Sequence, residues 1–510
     1  MEFSSRIYRL AERNSIIIGS FILLSSLFFY IQPSFPFLDL PNHSARCFII
    51  SSLLFDTASP YANLYSINLE FVPYILGDLI YASLFRLFSF HIAENLWVVI
   101  CYASLPAGLW AYCKAKNISK QNNLILVLLS SFISTDYFFI SGFLHFKVGM
   151  GLYFLALASW ELFIKSQKHV VAKGMLFVMS ALACYLMHAS SFVFLVISVS
   201  TIVFHRFGFK KISLDRALFT LFSLSLIALV LLSKGISGGK QNILTQFRTI
   251  ANKVAAVASP FVRFDSYYDN LFMGILVWIL FYSALCSKFV FTRSILNYLR
   301  NEPLLLAFVF FIFYLVTPVE AAGVWDVDVR ALPFMGLFVF LSIFSIRISR
   351  KIYIPVLGVS LLLVILNFAY MQLKFQDTAT ELANYDMALK EVPSGKSLLP
   401  VGTISDVGRV QPFMHRASFY RINQGDKPSI YPYFFSGNYS DPQRYFLTED
   451  TVWRPDMFWY LRNKEIDWER VSSNYNYLII TKPYKPERLS KLHLEPTFEN
   501  ATAAVFKIAN

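Results

Sequence analysis

Shortly after its first hydrophobic stretch the chain reads Phe37-Leu-Asp-Leu-Pro-Asn-His-Ser-Ala-Arg46. Asp39, His43 and Arg46 bring a carboxylate, an imidazole and a guanidinium into ten residues of a chain with few charges. A carboxylate can accept the proton of an attacking hydroxyl, and a guanidinium can hold a phosphate through paired N–H donors. An imidazole can serve either end. The stretch predicts one wall of an active site where a helix leaves a membrane. Simpler roles exist for each residue: Asp39 as the cap of the helix that follows or as the partner of Arg46, and His43 as a polar interface residue.

Other ionisable residues recur at the ends of apolar runs. Asp136, His145 and Lys147 flank the Ser141-Gly142 turn, and His188 interrupts a long run. Arg263, Asp265 and Asp269 lie in Pro260-Phe-Val-Arg-Phe-Asp-Ser-Tyr-Tyr-Asp269. Glu320, Asp326, Asp328 and Arg330 lie in Val319-Glu-Ala-Ala-Gly-Val-Trp-Asp-Val-Asp-Val-Arg330. Ionisable groups at membrane depth are costly and are functional candidates by default. Arg330 and Arg263 are the candidates for a phosphate, with His43, His145 and His188 as further binding groups. The alternatives are core histidines with satisfied hydrogen bonds, and an Arg330 paired with the acids before it. Asp326 and Asp328 are the weak candidates for metal ligands; two acids two residues apart form a sparse set. No metal site is assigned, and a divalent metal remains open.

These groups need a scaffold, and composition says which kind. The chain has 510 residues, 56% hydrophobic and 15% charged, against about 25% charged in soluble domains. It reads as a polytopic α-helical membrane protein. The 52 Phe and 28 Tyr suit lipid-facing and interfacial surfaces. The net charge of +13 comes from short basic clusters between apolar runs, not from a basic-aromatic platform, so nucleic acid is excluded as a partner. The five cysteines lie in or beside apolar segments without metal-ligand spacing and read as packing residues.

Arg6, Arg9 and Arg13 precede the run Ile16–Ile31, with no small-residue cleavage site after it, so an uncleaved first span with a cytoplasmic N-terminus is expected. Residues 44–56 are too short to span and read as an amphipathic interfacial segment. Runs follow at Phe71–Phe90, Glu94–Tyr112, and about 123–141, 143–164, 174–204, 215–233, 269–290, 303–319, 331–346 and 353–373. Basic clusters at Lys114/Lys116/Lys120, Lys165/Lys168/Lys173, Arg206/Lys210/Lys211/Arg216, Lys288/Arg293/Arg300 and Arg347/Arg350/Lys351 belong in the cytoplasm. That requires 174–204 to be broken near His188-Ala-Ser-Ser191. It also requires an odd number of crossings between Asp39 and Lys114, where the sequence offers two good spans. The count is about 11–13 spans over residues 1–373, with an outer loop at about 32–70. Residues 374–510 read as a small extracytoplasmic α/β domain, with strands at Ser397–Val401, Tyr477–Thr481 and Ala503–Ile508 and a helix at Leu382–Glu391 stopped by Pro393-Ser-Gly395. Its aromatics, Tyr431-Pro-Tyr-Phe-Phe435 with Trp453, Trp459 and Trp468, suit either sugar stacking or the domain's own core.

This arrangement, with Leu38-Asp39-Leu-Pro-Asn-His43 in the first outer loop, resembles the GT-C superfamily of integral-membrane glycosyltransferases, and the tail stretches Asp386-Met-Ala-Leu-Lys-Glu-Val-Pro-Ser-Gly-Lys396 and Tyr475-Asn-Tyr-Leu-Ile-Ile-Thr481 resemble the outer domains of membrane proteins associated with bacterial surface polysaccharides. The resemblance implies many spans, an interfacial helix after the first-loop acid, and a soluble outer domain. It further implies Asp39 as the base that activates the acceptor, a sugar donor carried on a polyprenyl phosphate, a glycan or lipid acceptor, and Arg330 as a phosphate ligand. Inverting transfer at the outer face of the inner membrane is the implied reaction, in cell-envelope polysaccharide biosynthesis. Many relatives carry Asp-Glu or Glu-x-Asp where this chain has a lone Asp39. The alternatives are a polysaccharide polymerase or ligase, which would rely on outer-loop Arg and His, and a lipid-linked glycan flippase or other transporter, for which Asp78 and Arg86 leave room.

Overall fold

The computed structural model describes residues 14–62, 65–67, 71, 73–208, 212–237, 246–286, 301–321, 324–346, 348–393, 395–401, 411–413, 415–417, 445–447, 465–484, 489 and 494–508. Arg6, Arg9, Arg13, Lys210, Lys211, Arg347, the Lys288/Arg293/Arg300 cluster, Tyr431–Phe435, Trp453 and Trp459 lie outside them.

In lipid every backbone polar group must be paired within its own segment, so the apolar runs fold as helices. They are α1 (Asn14–Tyr30), α2 (Leu40–Phe55), α3 (Ile75–Leu87), α4 (Phe90–Lys116), α5 (Lys120–Ser134), α6 (Tyr137–Ile140), α7 (Leu144–Lys165), α8 (Val170–Met187) and α9 (Ala189–Gly208). The chain continues through α10 (Leu214–Ser237), α11 (Ile250–Ala256), α12 (Ser266–Cys286), α13 (Glu302–Val316), α14 (Ala331–Phe344) and α15 (Arg350–Lys390). Among the described residues, six helices are long and apolar enough to cross a membrane: α4, α7, α8, α9, α12 and α15; α1, α13 and α14 are shorter apolar helices.

The crossing puzzle after Asp39 has a length answer. Helix α3 has 13 residues and rises only about 20 Å, short of the roughly 30 Å of hydrocarbon. Its neighbour α2, also short, is mostly buried against it rather than lying on a surface. Among the described residues, helix α4, with 27 residues, is the one membrane-length helix between Asp39 and Lys114. The run 174–204 is broken as expected, with His188 between α8 and α9.

The core pairing is α4 against α7. Gly108 and Gly151 set its closeness, because a Cβ on Gly108 would lie 2.2 Å from the Gly151 carbonyl oxygen. At one end of this pair a charge network ties four helices. Glu161 of α7 meets Lys116 of α4 at 3.0 Å and Arg206 of α9. Glu302 of α13 meets Lys116 at 2.6 Å and Arg206 Nε at 2.7 Å. Two of the expected basic clusters thus share their acids directly, and Lys165 from a third reaches Glu161 at 3.5 Å.

Helix α15 has 41 residues, roughly 60 Å at the helical rise, twice what a membrane needs. The expected separate helix at Leu382–Glu391 is its far end. That end enters the tail, where β4 (Leu398–Val401), β6 (Tyr477–Thr481), β8 (Ala503–Lys507) and β7 (Pro496–Glu499) form a four-stranded sheet in the order β4-β6-β8-β7. The β4–β6 pair is parallel and the rest antiparallel. Leu382, Tyr385, Ala388 and Leu389 of α15 pack on one face of this sheet with Ile479 and Val505. The other face buries Val471 and Tyr475 from the helix α16 (Trp468–Asn474) and the residue after it, with Trp468 partly covered beside them. A further strand, β5 (Tyr445–Leu447), pairs antiparallel with β1 (Tyr65–Ile67) of the first loop.

Removing one partner from a buried ionic network leaves the others uncompensated. Glu161→Gln is therefore expected to destabilise the protein by about 3–5 kcal/mol, read as a lowered thermal midpoint in detergent; an unchanged midpoint would show that the network is not a brace.

Candidate active site

At the opposite end of α7 lies the turn 141–143, and against it lies Asp39. Gly142 has φ +85°, and a Cβ there would fall 2.8 Å from the Asp39 nitrogen and 2.7 Å from that of Leu40. Only glycine allows this approach. It lets the Asp39 N–H donate to the Ser141 carbonyl at 3.1 Å. Asp39 occupies the N-cap of α2, yet its side chain makes no capping hydrogen bond, and Pro41 removes one of the amides a cap would serve. The carboxylate turns instead toward His415 of the tail, whose Nε2 lies 3.4 Å from Oδ1. The capping role open to Asp39 in the sequence is thus not the one it has.

One helical turn on, His43 faces the protein's main polar cluster. Arg46 Nη2 reaches Asp78 Oδ1 at 2.8 Å and His43 Nδ1 at 3.0 Å. Asp78 Oδ1 also meets His145 Nε2 at 3.0 Å. Gly77 makes room for that contact, since a Cβ there would overlap His145 Cδ2 at 2.2 Å. Ring contacts continue the cluster: His43 to His145 at 5.0 Å, Tyr74 to His145 at 5.6 Å, and Tyr74 to His188 at 5.1 Å. The Tyr74 hydroxyl lies 3.2 Å from His188 Nε2, and Arg330 Nη1 lies 3.5 Å from the same atom. Arg330, at the N-cap of α14, stacks over Phe143 and Phe146.

Five segments distant in sequence thus supply Arg46–Asp78–His145 and Tyr74–His188–Arg330. Asp78, His145, His188 and Arg330 are buried, while Asp39 and His43 are partly exposed. Burial, then the charge of Arg330, holds the His188 imidazole well below its usual range. Enclosure by the protein, then Arg46, does the same to His43. Both rings are therefore neutral and can accept from the arginines beside them.

Tyr74 was not singled out in the sequence. It takes φ +74° at the start of α3, a conformation rare for an aromatic residue and concentrated at functional sites. Arg46 and Asp78 were visible as charges but not as partners. His415, enclosed in a short tail segment, carried no local signal.

Two expected phosphate or metal groups have other partners. The Arg263 guanidinium grips Asp269 through Nε at 3.1 Å and Nη2 at 2.9 Å, while Nη1 reaches the Thr135 carbonyl at 3.2 Å and Asn367 Oδ1 at 2.5 Å. All three nitrogens are engaged, so Arg263 is a brace between the first turn of α12, the residue that ends α5, and α15. Asp326 and Asp328 face Arg248 at 2.9 and 3.2 Å, and Asp328 also faces Lys253 at 3.5 Å. These carboxylates, the weak candidates for metal ligands, thus have cationic side chains as their neighbours. Among the described residues no group of three or more His, Cys, Asp or Glu is placed to hold a metal ion. Asp136 is likewise committed, to Lys147 at 2.8 Å in full burial. Asp78 and Arg86, which left room for a transporter, divide: Asp78 belongs to the cluster, and Arg86 is an exposed partner of Asp56 at 3.3 Å.

A helical membrane domain with a small C-terminal sheet domain is the GT-C-like fold that the sequence resemblance implied, although the helix after the first-loop acid is buried rather than interfacial. The chain superimposes on ArnT from Cupriavidus metallidurans bound to undecaprenyl phosphate with TM-score 0.56 and 10% identity, covering 97% of this chain and 98% of that one. It superimposes on the apo state of the same protein with TM-score 0.56 and 11% identity, covering 97% of each chain. No family profile matches the chain, and no curated protein matches it by sequence.

Because Gly142 is pressed on the Asp39 backbone, Gly142→Ala is expected to destabilise the protein by about 1–3 kcal/mol and to speed hydrogen exchange at the Asp39 and Leu40 amides. Unchanged exchange and midpoint would show that the turn can move aside without disturbing Asp39.

Proposed function

We propose that the chain is an inner-membrane glycosyltransferase that moves a sugar from a polyprenyl phosphate to a glycan or lipid acceptor at the outer face. One observation carries this reading: a partly accessible carboxylate, Asp39, borders a buried cluster with two guanidiniums and three imidazoles. The fold supports it, since a protein of the same architecture has been seen with undecaprenyl phosphate bound.

The chemistry follows from the charges. An acceptor hydroxyl attacks the anomeric carbon, its proton passing to the Asp39 carboxylate. The bond between that carbon and the phosphate oxygen breaks, and its electron pair leaves with the polyprenyl phosphate. A phosphate is a good leaving group, so fixed positive charge matters more than a general acid. Arg330 is the proposed phosphate ligand, because it stands at the start of the apolar helix α14 beside Phe143, Phe146 and His188. Arg46 lies at the same cluster, paired with Asp78 at 2.8 Å. His43, His145 and His188 shape the pocket as hydrogen-bonding groups. Attack from the face opposite the phosphate gives inversion.

The proposed orientation places Asp39 and the tail, residues 374–510, outside the cytoplasm, and the Lys116–Arg206 network and the N-terminus inside. Membrane lipid surrounds residues 1–373.

Comparing envelope glycans and glycolipids of deleted and complemented cells by mass spectrometry tests the reading. Complementation is expected to restore a glycosyl increment, and Asp39→Asn to lower transfer by about 10²- to 10⁴-fold. Full transfer by Asp39→Asn would sink the base assignment. Arg330→Ala is expected to weaken binding of undecaprenyl phosphate to the purified protein by about 10- to 100-fold; equal binding would move the phosphate elsewhere.

A further inference from the structure

The acid that the membrane domain leaves uncapped is met by a residue of the tail. Phe413 and Ala417 pack with Leu382, Tyr385, Ala388 and Leu389 on the far end of α15. Between them Arg416 clamps Asp386 of the same helix through two hydrogen bonds, at 2.9 and 2.6 Å. His415 is therefore held on a rigid support. Its side chain is 2% exposed, and Nε2 lies 3.4 Å from Asp39 Oδ1.

From the other side, the Asp39 backbone is pinned to Ser141, but its side chain makes no bond to the helix it begins. Among the described residues, the group that faces the carboxylate is His415. A second contact between the same parts, β5 on β1, shows that the tail is seated on the first loop at more than one point.

We propose that His415 is a positioning residue for Asp39, so that the C-terminal domain completes the active site. This rests on Asp39 acting as the base. The Nε2–H directed at Oδ1 fixes the plane of the carboxylate and leaves Oδ2 for the acceptor hydroxyl. His415 itself touches neither sugar nor phosphate. Its action is to hold the base in one orientation before the acceptor arrives, as catalytic geometry requires.

Two substitutions separate positioning from packing. Glutamine keeps an N–H donor at the reach of Nε2 but changes the ring's shape. Phenylalanine keeps a ring's bulk but has no donor. A merely structural side chain in so enclosed a place would favour phenylalanine; a positioning one favours glutamine.

The test uses the full chain in detergent. Polyprenyl-phosphate-linked sugars extracted from source membranes serve as donor, and envelope glycan from deleted cells as acceptor. Rates are measured at saturating and limiting acceptor, after thermal midpoints show that the variants are folded. His415→Phe is expected to lower kcat by about 10- to 100-fold, with KM for the acceptor changed by less than about threefold, and His415→Gln to stay within about threefold of the unsubstituted protein. Phenylalanine equal to or better than glutamine would overturn the proposal. Should His415→Phe not fold, His415→Gln decides alone: a loss beyond about tenfold at an unchanged midpoint overturns it, and near-full activity supports it. Asp39→Asn is run in parallel. If that variant is fully active, the base assignment has failed; if it is inactive while His415→Phe is not impaired, only the positioning role has failed.

Discussion

Asp78 carries its carboxylate where almost no water reaches it, and a lone charge there would be prohibitively unstable. The surrounding helices are arranged to answer it. Arg46 from α2 and His145 from α7 converge on the single oxygen Oδ1, and Gly77 is the gap through which His145 arrives. This one acid therefore locks three helices together and sets where His43 and, through α2, Asp39 must lie. The same constraint gives α3 its unusual character. It is too short to cross and carries a buried charge, so it stands inside the protein as a post against which the site is built.

The two ends of the bundle solve the problem of buried charge differently. Around Glu161 and Glu302, acids and bases meet at close range. Such a network holds helices and leaves little free to act. Around Asp78 lie two guanidiniums and three imidazoles, at a place lined by aromatic rings. An anion brought there would meet preorganised donors rather than water. One end is braced by ion pairs, and the other gathers arginines and histidines around Asp78.

Much of this was legible in the sequence. The Phe37–Arg46 stretch announced itself because charges are scarce, and β4, β6 and β8 fell within a residue of the apolar runs in the tail. The break at His188 was required by the crossing count. What could not be read was pairing across distance. Nothing in local spacing tells Arg263, which has Asp269 six residues away as its partner, from Arg330, which meets a histidine 142 residues earlier. Asp326 and Asp328 resembled a cation site because Arg248 and Lys253, their counter-ions, stand some 75 residues upstream. Helix α15 was divided at the membrane surface because composition changes there, although the backbone does not.

That undivided helix is the reason a tail residue can serve a membrane site at all. A domain tethered by a flexible linker would sample many positions, and a contact of 3.4 Å would be lost in most of them. A continuous helix has no such freedom, so the direction in which α15 leaves the bundle is also the direction in which the tail is presented. Asp386, four turns beyond Tyr370 on that helix, fixes Arg416, and Arg416 fixes its neighbour His415. The position of the carboxylate at Asp39 is thus determined twice, through the Ser141-Gly142 turn from within the membrane domain and through α15 from outside it. Agreement between two independent rigid paths is what holds a short, partly exposed side chain in one orientation without burying it.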